Sequence, residues 1–361
     1  MMVYTHEKEG NLKKSLSRAM TEKNKEKSYQ FDSFNKGELI QRLGKEKLIS
    51  LLKQMLLSRN FEVRAESAYQ QGNIGGFFHA YIGQEAIQTA CVDVFGVENW
   101  WSASYRCHAL ALLLGVTPNE LMSELFGRAN GNAKGRGGSM HLFSERMLGG
   151  FGIVAGQVPI AIGAALSIKY LKKEDEVSFC FLGDGAVAQG VFYESVNLAA
   201  LWDLPCIFVI ENNQWGMGTA VNRAIALDPI GEKIANAFNL DGYAINGMDL
   251  LSSYYSFEKI KEKVMKERKP IIIEAHTERF RGHSISDPAL YRSKENLKGI
   301  MNKDVLINLK EDLIGAGFLD EDSYKAMDKE AREIAIESIK HAEASPWPDP
   351  IVLEEDVLEE E

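Results

Sequence analysis

Two short polar signatures, each closing an apolar run, are the places where this sequence could do chemistry. Gly183-Asp184-Gly185 ends the run 177–182, and Asn212-Asn213 ends the run 205–210. A helix-length segment, 186–202, lies between them, so the stretch reads as a βαβ unit with parallel strands and a right-handed crossover. Parallel strands finish on one edge of a sheet, where ligands sit in open α/β folds. Asp184 and Asn213 should both project there. One anionic oxygen beside one amide oxygen suits a hard cation such as Mg²⁺, which usually shares its shell with phosphate oxygens. The Gly185-Ala186 amides are expected to open the following helix, whose N-terminus favours phosphate. Gly-Asp-Gly is also a common turn, and Asn-Asn often forms an Asx turn. Chemistry is favoured over turn formation because both signatures close strands of one unit.

Other chemistry-bearing residues are spread along the chain. His79 sits in Phe77-Phe78-His79-Ala80-Tyr81, where an ordinary packed histidine is the competing reading. Tyr105-Arg106 offers a guanidinium fork that suits phosphate oxygens, although such an Arg is commonly a surface cation beside a packed ring. The basic, glycine-rich stretch 127–138 fails the GxxxxGK[ST] spacing, so it is not a Walker loop. Arg279, Arg281 and His283 lie in a Gly-, Ser-, Asp- and Pro-containing loop, 278–288, that leaves a strand edge as the cation site does.

The elements that must position these groups follow from apolar spacing. A long amphipathic helix is expected over 48–68, through Leu48, Leu51, Leu52, Met55, Leu56 and Phe61. Further helices are expected entering at Glu85 through Ala90, over 110–125 with Pro118 near a helix start, over 160–170, ending at 264–269, and over 303–344. Pro270-Ile271-Ile272-Ile273-Glu274-Ala275 reads as a third apolar strand. The expected organisation is a mobile arm over 1–36, an α/β domain over 37–345 and an acidic tail over 346–361.

The 361 residues are 45% hydrophobic and 25% charged, an ordinary soluble composition with enough chain for a large core. A net charge of -10 argues against nucleic acid or an anionic membrane as partner. No apolar segment approaches the roughly 20 residues that span a bilayer. Cys91, Cys107, Cys180 and Cys206 have no metal spacing, and a reducing compartment fits them. The first residues lack a hydrophobic signal core, and Glu7, Glu9, Glu22 and Glu26 disfavour a transit peptide, so a cytoplasmic protein is expected.

Gly183-Asp184-Gly185 followed, after residues 186–211, by Asn212-Asn213 resembles the thiamine diphosphate fingerprint. Over about residues 45 to 345 the chain is similar to alpha subunits of the 2-oxo acid dehydrogenase family, the pyruvate-specific branch above all. The resemblance implies a thiamine diphosphate-binding α/β fold, with a mostly parallel central sheet flanked by helices. It implies Mg²⁺ held by the Asp184 and Asn213 side chains and the main-chain carbonyl of Trp215, where the family usually has Tyr. It places Tyr105, Arg106, Gly185 and Ala186 at the diphosphate and main-chain groups of Gly152 and Val154 at the aminopyrimidine. His79, His283 and Arg279 match its substrate-side and active-loop residues, His283 also lying against the cofactor. Ser284 matches a phosphorylated serine of animal enzymes, but Leu290-Tyr291 leaves no serine at another such position.

The reaction implied is decarboxylation of pyruvate with acetyl transfer to the lipoyl group of a dihydrolipoyl acetyltransferase. The family's glutamate that protonates the aminopyrimidine comes from a beta subunit, and no Glu of this chain replaces it. Two alpha and two beta chains, with the cofactor between them, are therefore expected. Alternatives are a branched-chain 2-oxo acid or acetoin dehydrogenase alpha subunit, an NAD-binding module and an inactive structural subunit. For the NAD reading, Gly190 follows Gly185 by five residues where the dinucleotide fingerprint wants three. The intact set of Asp184, Asn213, Arg106 and His283 speaks against the structural one.

Overall fold

The computed structural model describes residues 29–355. Six strands form one parallel sheet: β1 (Trp100–Ser104), β2 (Met147–Phe151), β3 (Ser178–Gly183), β4 (Cys206–Asn212), β7 (Asp241–Asn246) and β8 (Ile271–His276). Their order is β2-β1-β3-β4-β8-β7, and every neighbouring pair runs parallel. A small antiparallel pair, β5 (Trp215–Gly216) and β6 (Thr219–Ala220), follows β4. The chain therefore has the expected α/β architecture of a parallel sheet between helical layers, and the βαβ unit of β3 and β4 is present as read.

The central strands are apolar without interruption because both sheet faces are covered. Side chains alternate across a strand. Phe179, Phe181, Ile207, Val209, Ile271 and Ile273 point into one core with the helices Lys36–Gln70, Glu85–Phe95 and Leu250–Glu267. Cys180, Leu182, Cys206, Phe208, Ile210 and Ile272 point into the other, under Gln157–Tyr170, Gly190–Leu201 and Ile230–Ala237. The four cysteines are free and buried.

Several elements differ from their sequence reading, each for a local reason. The first helix begins at Lys36 rather than 48, capped by the Asn35 side chain on the Glu38 N–H, and kinks at Gly44, whose φ is 77°. The segment 110–125 divides at Gly115 (φ 96°), after which Thr117 and Glu120 form a reciprocal cap and Pro118 starts a new helix. The segment 303–344 divides into Val305–Gly315 and Glu321–Ala344, with Asp320 capping the second.

The segment 186–202 also divides. Asp184–Ala188 is a 3-10 turn, Gln189 is extended (φ -78°, ψ 136°), and the α-helix starts only at Gly190. The Gly185 and Ala186 amides therefore belong to a short turn and do not open the α-helix as expected. Strands β1, β2 and β7 had no strand reading in the sequence.

Residues 1–28 and 356–361 lie outside the described residues, and with them most of the expected arm and the end of the tail. Residues 29–35 pack on the sheet and its helices. Phe31 meets Tyr243, Phe34 stacks on Tyr255, and the Ala244 N–H donates to Gln30 Oε1. At the other end, 346–355 lies against the glycine-rich stretch. Arg128 sits over the Trp347 ring, Lys134 pairs with Glu355, and Arg136 donates to the carbonyls of Val352 and Glu355.

Candidate active site

Because all six strands are parallel, the segments that leave β1, β2, β3, β4 and β8 emerge on one edge. These five exits carry Tyr105-Arg106, Gly152, Asp184, Asn213 and Arg279. Residues from five separated stretches of sequence are thus delivered to one side of the molecule. His79 comes from the segment before the helix Glu85–Phe95, and His283 from the loop after β8.

Arg279 is the hub. Only 1% exposed, it donates from Nε to Asn213 Oδ1 (3.2 Å) and from Nη2 to the Trp215 carbonyl (3.4 Å). Its Nη1 is buried with no hydrogen-bond partner. Asp184 is 2% exposed, and its Oδ2 is likewise buried and unpaired. Burial pushes the Asp184 carboxyl up to about 6, against the Arg279 charge and hydrogen bonds from its own and the Gly185 amide. Two of the three oxygens expected to ligate a cation therefore face a guanidinium, and the third is a desolvated carboxyl oxygen without a donor. Such a set could hold a hard, oxygen-seeking cation. Among the described residues no group of three or more His, Cys, Asp and Glu side chains could do so.

The aromatic and imidazole groups form a second cluster. The His79 ring lies 4.2 Å from Tyr105 and 5.1 Å, edge-on, from His283, measured between centroids. Tyr105 Oη and His283 Nε2 are 3.4 Å apart. Arg106, 5% exposed, donates from Nη1 to the Ala80 carbonyl (2.8 Å) and from Nη2 to the His283 carbonyl. It ties the His79 segment to the His283 loop. Burial and the charge of Arg106 hold His79 down at about 2; burial, Arg106 and Arg279 hold His283 at about 3. Both imidazoles are neutral at pH 7 in the ligand-free chain. Burial, with Arg279 nearby, also brings Arg106 down to about 10.

Gly152 lies just past β2, and Val154, 45% exposed, in the turn that follows. That turn includes Ala155 at φ 64°. A side chain at Gly152 would meet the His141 ring at 3.1 Å. The structure thus brings Gly152 and Val154 to the shared edge.

Several residues of the site had no chemical role assigned from the sequence, Arg292 being read only as closing the loop with Tyr291. Asp287 fastens the loop: its Oδ2 accepts from the His283 N–H and the Tyr291 hydroxyl, both at 2.7 Å, and its Oδ1 from the Ala289 N–H at 2.9 Å. Arg292 donates to the Arg279 carbonyl at 2.6 Å and leaves Nε and Nη2 buried and unpaired. Gln84 Oε1 takes the Asn213 amide at 3.3 Å. Gly83 lets the loop approach: its φ is 103°, and a Cβ there would lie 2.6 Å from the Glu278 carbonyl. Behind the site, His108 bridges Glu62 (3.0 Å) and the Ser139 carbonyl (2.9 Å), fully buried. The available signal was position: Asp287 lies within the loop 278–288, Gln84 shortly after the His79 segment and His108 two residues past Arg106. For Glu62 there was none.

Comparison with known proteins decides the family. The profile described as "Dehydrogenase E1 component" matches residues 53–351. The chain belongs to the dehydrogenase E1 component family.

This family is thiamine diphosphate-dependent. Among its members, the chain is 42% identical to a protein of Rickettsia bellii over 84% of this chain and 93% of that one. It is 40% identical to a Rhizobium meliloti protein over 89% and 93%. It is 39% identical to one from Porphyra purpurea over 85% and 91%. All three carry the name pyruvate dehydrogenase E1 component subunit alpha. No described helix of this E1 component chain is long and apolar enough to cross a membrane.

Proposed function

We propose that this E1 component chain is the alpha subunit of a thiamine diphosphate- and Mg²⁺-dependent pyruvate dehydrogenase. It would act with a beta subunit in a complex of two alpha and two beta chains. It decarboxylates pyruvate and passes the acetyl group to the lipoyl group of a dihydrolipoyl acetyltransferase, in the cytoplasm. The observation that carries this reading is the unpaired Asp184 Oδ2 beside Asn213 Oδ1, the Trp215 carbonyl and the unpaired Nη1 of Arg279. Buried polar atoms are ordinarily paired. Orphans of opposite sign at one edge fit a cation and an anion bound together.

In this reading Asp184, Asn213 and the Trp215 carbonyl hold Mg²⁺. Tyr105, Arg106 and Arg279 hold the diphosphate, with the turn amides of Gly185 and Ala186. Main-chain groups of Gly152 and Val154 face the aminopyrimidine. Bound thiamine diphosphate supplies a nucleophilic carbon and an electron sink for decarboxylation. His79 and His283 flank the substrate side. The charges of Arg106 and Arg279 help depress both imidazoles, so a bound anion returns them toward the range useful for proton transfer. Arg106 and Asp287 orient His283 from its carbonyl and its amide.

Two further observations favour a split site. Ile153, Ile160, Leu166 and Tyr170 are 77%, 44%, 44% and 82% exposed. The last three lie on one stripe of the helix Gln157–Tyr170, which begins beside the Gly152 turn, so a partner can cover this surface. The buried glutamate on β4, Glu211, pushed up to about 7 by burial, is already held by Tyr81 and Gln88 rather than free to protonate an aminopyrimidine.

Calorimetric titration of thiamine diphosphate with Mg²⁺ into the chain, alone and with its beta partner, tests the reading. Tight binding with the partner only is expected. Tight binding to the chain alone breaks the split-site part, and no binding in either case removes the cofactor assignment.

A further inference from the structure

We infer that Glu274 is a positioning residue for the cation site: it sets the geometry of the loop that presents Asn213 and Trp215. Glu274 lies on β8 and is 1% exposed. Its Oε1 accepts from Asn212 Nδ2 at 2.6 Å. Its Oε2 accepts from the Ile230 and Gly231 N–H groups at 2.8 and 3.0 Å. His276 Nε2 lies 3.5 Å from Oε1. One carboxylate thus joins the end of β4 to the start of the helix Ile230–Ala237.

Asn212 relays this hold. With its amide nitrogen on Glu274, its Oδ1 is aimed at the next loop, where it accepts from the Gln214 N–H (3.0 Å) and Gln214 Nε2 (2.8 Å). Gln214 needs that hold, because its φ is 71°, a left-handed conformation that costs a non-glycine residue energy. The reversal at Gln214 is what turns Asn213 Oδ1 and the Trp215 carbonyl toward the same point, now occupied by Arg279. Convergence of the two oxygens therefore rests on the orientation of one amide, and that orientation rests on Glu274. Were the amide to flip, its N–H groups would face the Gln214 donors.

The inference rests on the cation reading above, and a polarity swap tests it. In Glu274→Gln the new amide cannot accept from Asn212 while its oxygen serves the Ile230 and Gly231 amides. In Asn212→Asp two carboxylates face one another. When Glu274→Gln and Asn212→Asp are combined, the new amide donates to the new carboxylate and the bonds to the Ile230, Gly231 and Gln214 donors are restored. Only the His276 contact then faces an amide nitrogen, and the net charge is unchanged. Mg²⁺ with thiamine diphosphate is titrated calorimetrically into each variant assembled with the beta partner, and thermal melting is recorded.

Each single variant should lose at least ~10-fold in Mg²⁺-dependent affinity, and the swap should return to within about threefold of wild type. Wild-type affinity in a folded Glu274→Gln, or a folded swap as weak as the singles, overturns the inference. If Glu274→Gln does not fold, Asn212→Asp carries the same test, because it leaves the helix-start amides their acceptor; undiminished affinity there overturns the inference. Asp184→Ala runs alongside. If it also binds normally, the cation reading fails. If it alone loses binding, only the role of Glu274 fails.

Discussion

Two glycine-bearing basic loops in this chain invite the same reading and end in opposite states. The stretch 127–141 contains Arg128, Lys134 and Arg136 among its glycines and looks like an anion cradle. It is already filled by the chain itself. The buried Glu124 carboxylate accepts from the Ala133, Gly135, Gly137 and Gly138 N–H groups, at 2.7 to 3.2 Å. Gly131 leaves room for it, since a Cβ there would sit 2.2 Å from Glu124 Oε2. Lys134 and Arg136 are taken by Glu355 and main-chain carbonyls of the C-terminal segment, and the Arg128 guanidinium lies over Trp347, its Nε buried without a hydrogen-bond partner. The loop 277–292 is the reverse. It leaves Nη1 of Arg279 and Nε and Nη2 of Arg292 unpaired, near an unpaired Asp184 Oδ2. The difference teaches that a run of N–H donors and cations marks a ligand site only when the fold withholds its own acceptor.

The largest effect should come from emptying the closed loop. Glu124→Ala strands four amides and is expected to cost about 3–5 kcal/mol of stability, as removing one side of a buried, charge-assisted cluster does. Urea unfolding measures it. A loss below about 1 kcal/mol, or restoration of the variant by inorganic phosphate at modest concentration, would erase the distinction between the loops.

The open site should respond with the opposite sign. Burial holds the Asp184 carboxyl near 6, so at pH 7 the ligand-free chain carries a desolvated charge. Asp184→Asn is expected to stabilise that form by about 1–3 kcal/mol, since each unit of pKa shift corresponds to roughly 1.4 kcal/mol. It should at the same time abolish Mg²⁺-dependent cofactor binding. A ligand-free Asp184→Asn chain that melts below wild type would mean that the carboxylate is structural, like Glu124.

The contrast between these two carboxylates also measures what the sequence could disclose. Asp184 was legible because it directly follows a strong apolar strand, and strand ends of a parallel sheet share an edge. The Asn213 and Arg279 positions were legible for the same reason, and the α/β class followed from the uninterrupted runs of β3, β4 and β8. Glu124 was not legible, since its partners lie 9 to 14 residues on and reach it only after the chain folds back. Strands β1 and β2 escaped because they are short and β2 is rich in glycine; β7, as long as β3, escaped because Asp241-Gly242 and Asn246 leave it only a three-residue apolar run. The placement of β8 between β4 and β7 is a long-range choice with no local signature, yet it is what puts Arg279 against Asn213 and Trp215. The break at Gln189 was hidden too, because nothing in Ala188-Gln189-Gly190 forces a residue out of the helix.

The smallest expected effect, and the sharpest in sign, is the pH dependence of the open site without ligand. His79 and His283 have folded-state values of about 2 and 3, below the ordinary 6.5. Below pH 6.5 the unfolded chain takes up protons that the folded chain refuses. The stability they contribute is complete above 6.5 and is lost as pH falls toward 3. Asp184 acts in the other direction: its value is raised from 3.8 to about 6, so its contribution is present below 3.8 and is lost as pH rises through 6. Between about pH 4 and 6 the two trends oppose one another, and the wild-type chain should show a shallow profile. Asp184→Asn removes the acidic branch and should expose a steady decline below about pH 6.5. His283 is partly accessible, so solvent screening limits its share of the decline to about 1–2 kcal/mol near pH ~4.5. Replacing both histidines with Asn in that background should flatten the curve. A decline that survives both replacements would place its cause elsewhere, and the depressed imidazoles would no longer distinguish the open loop from the closed one.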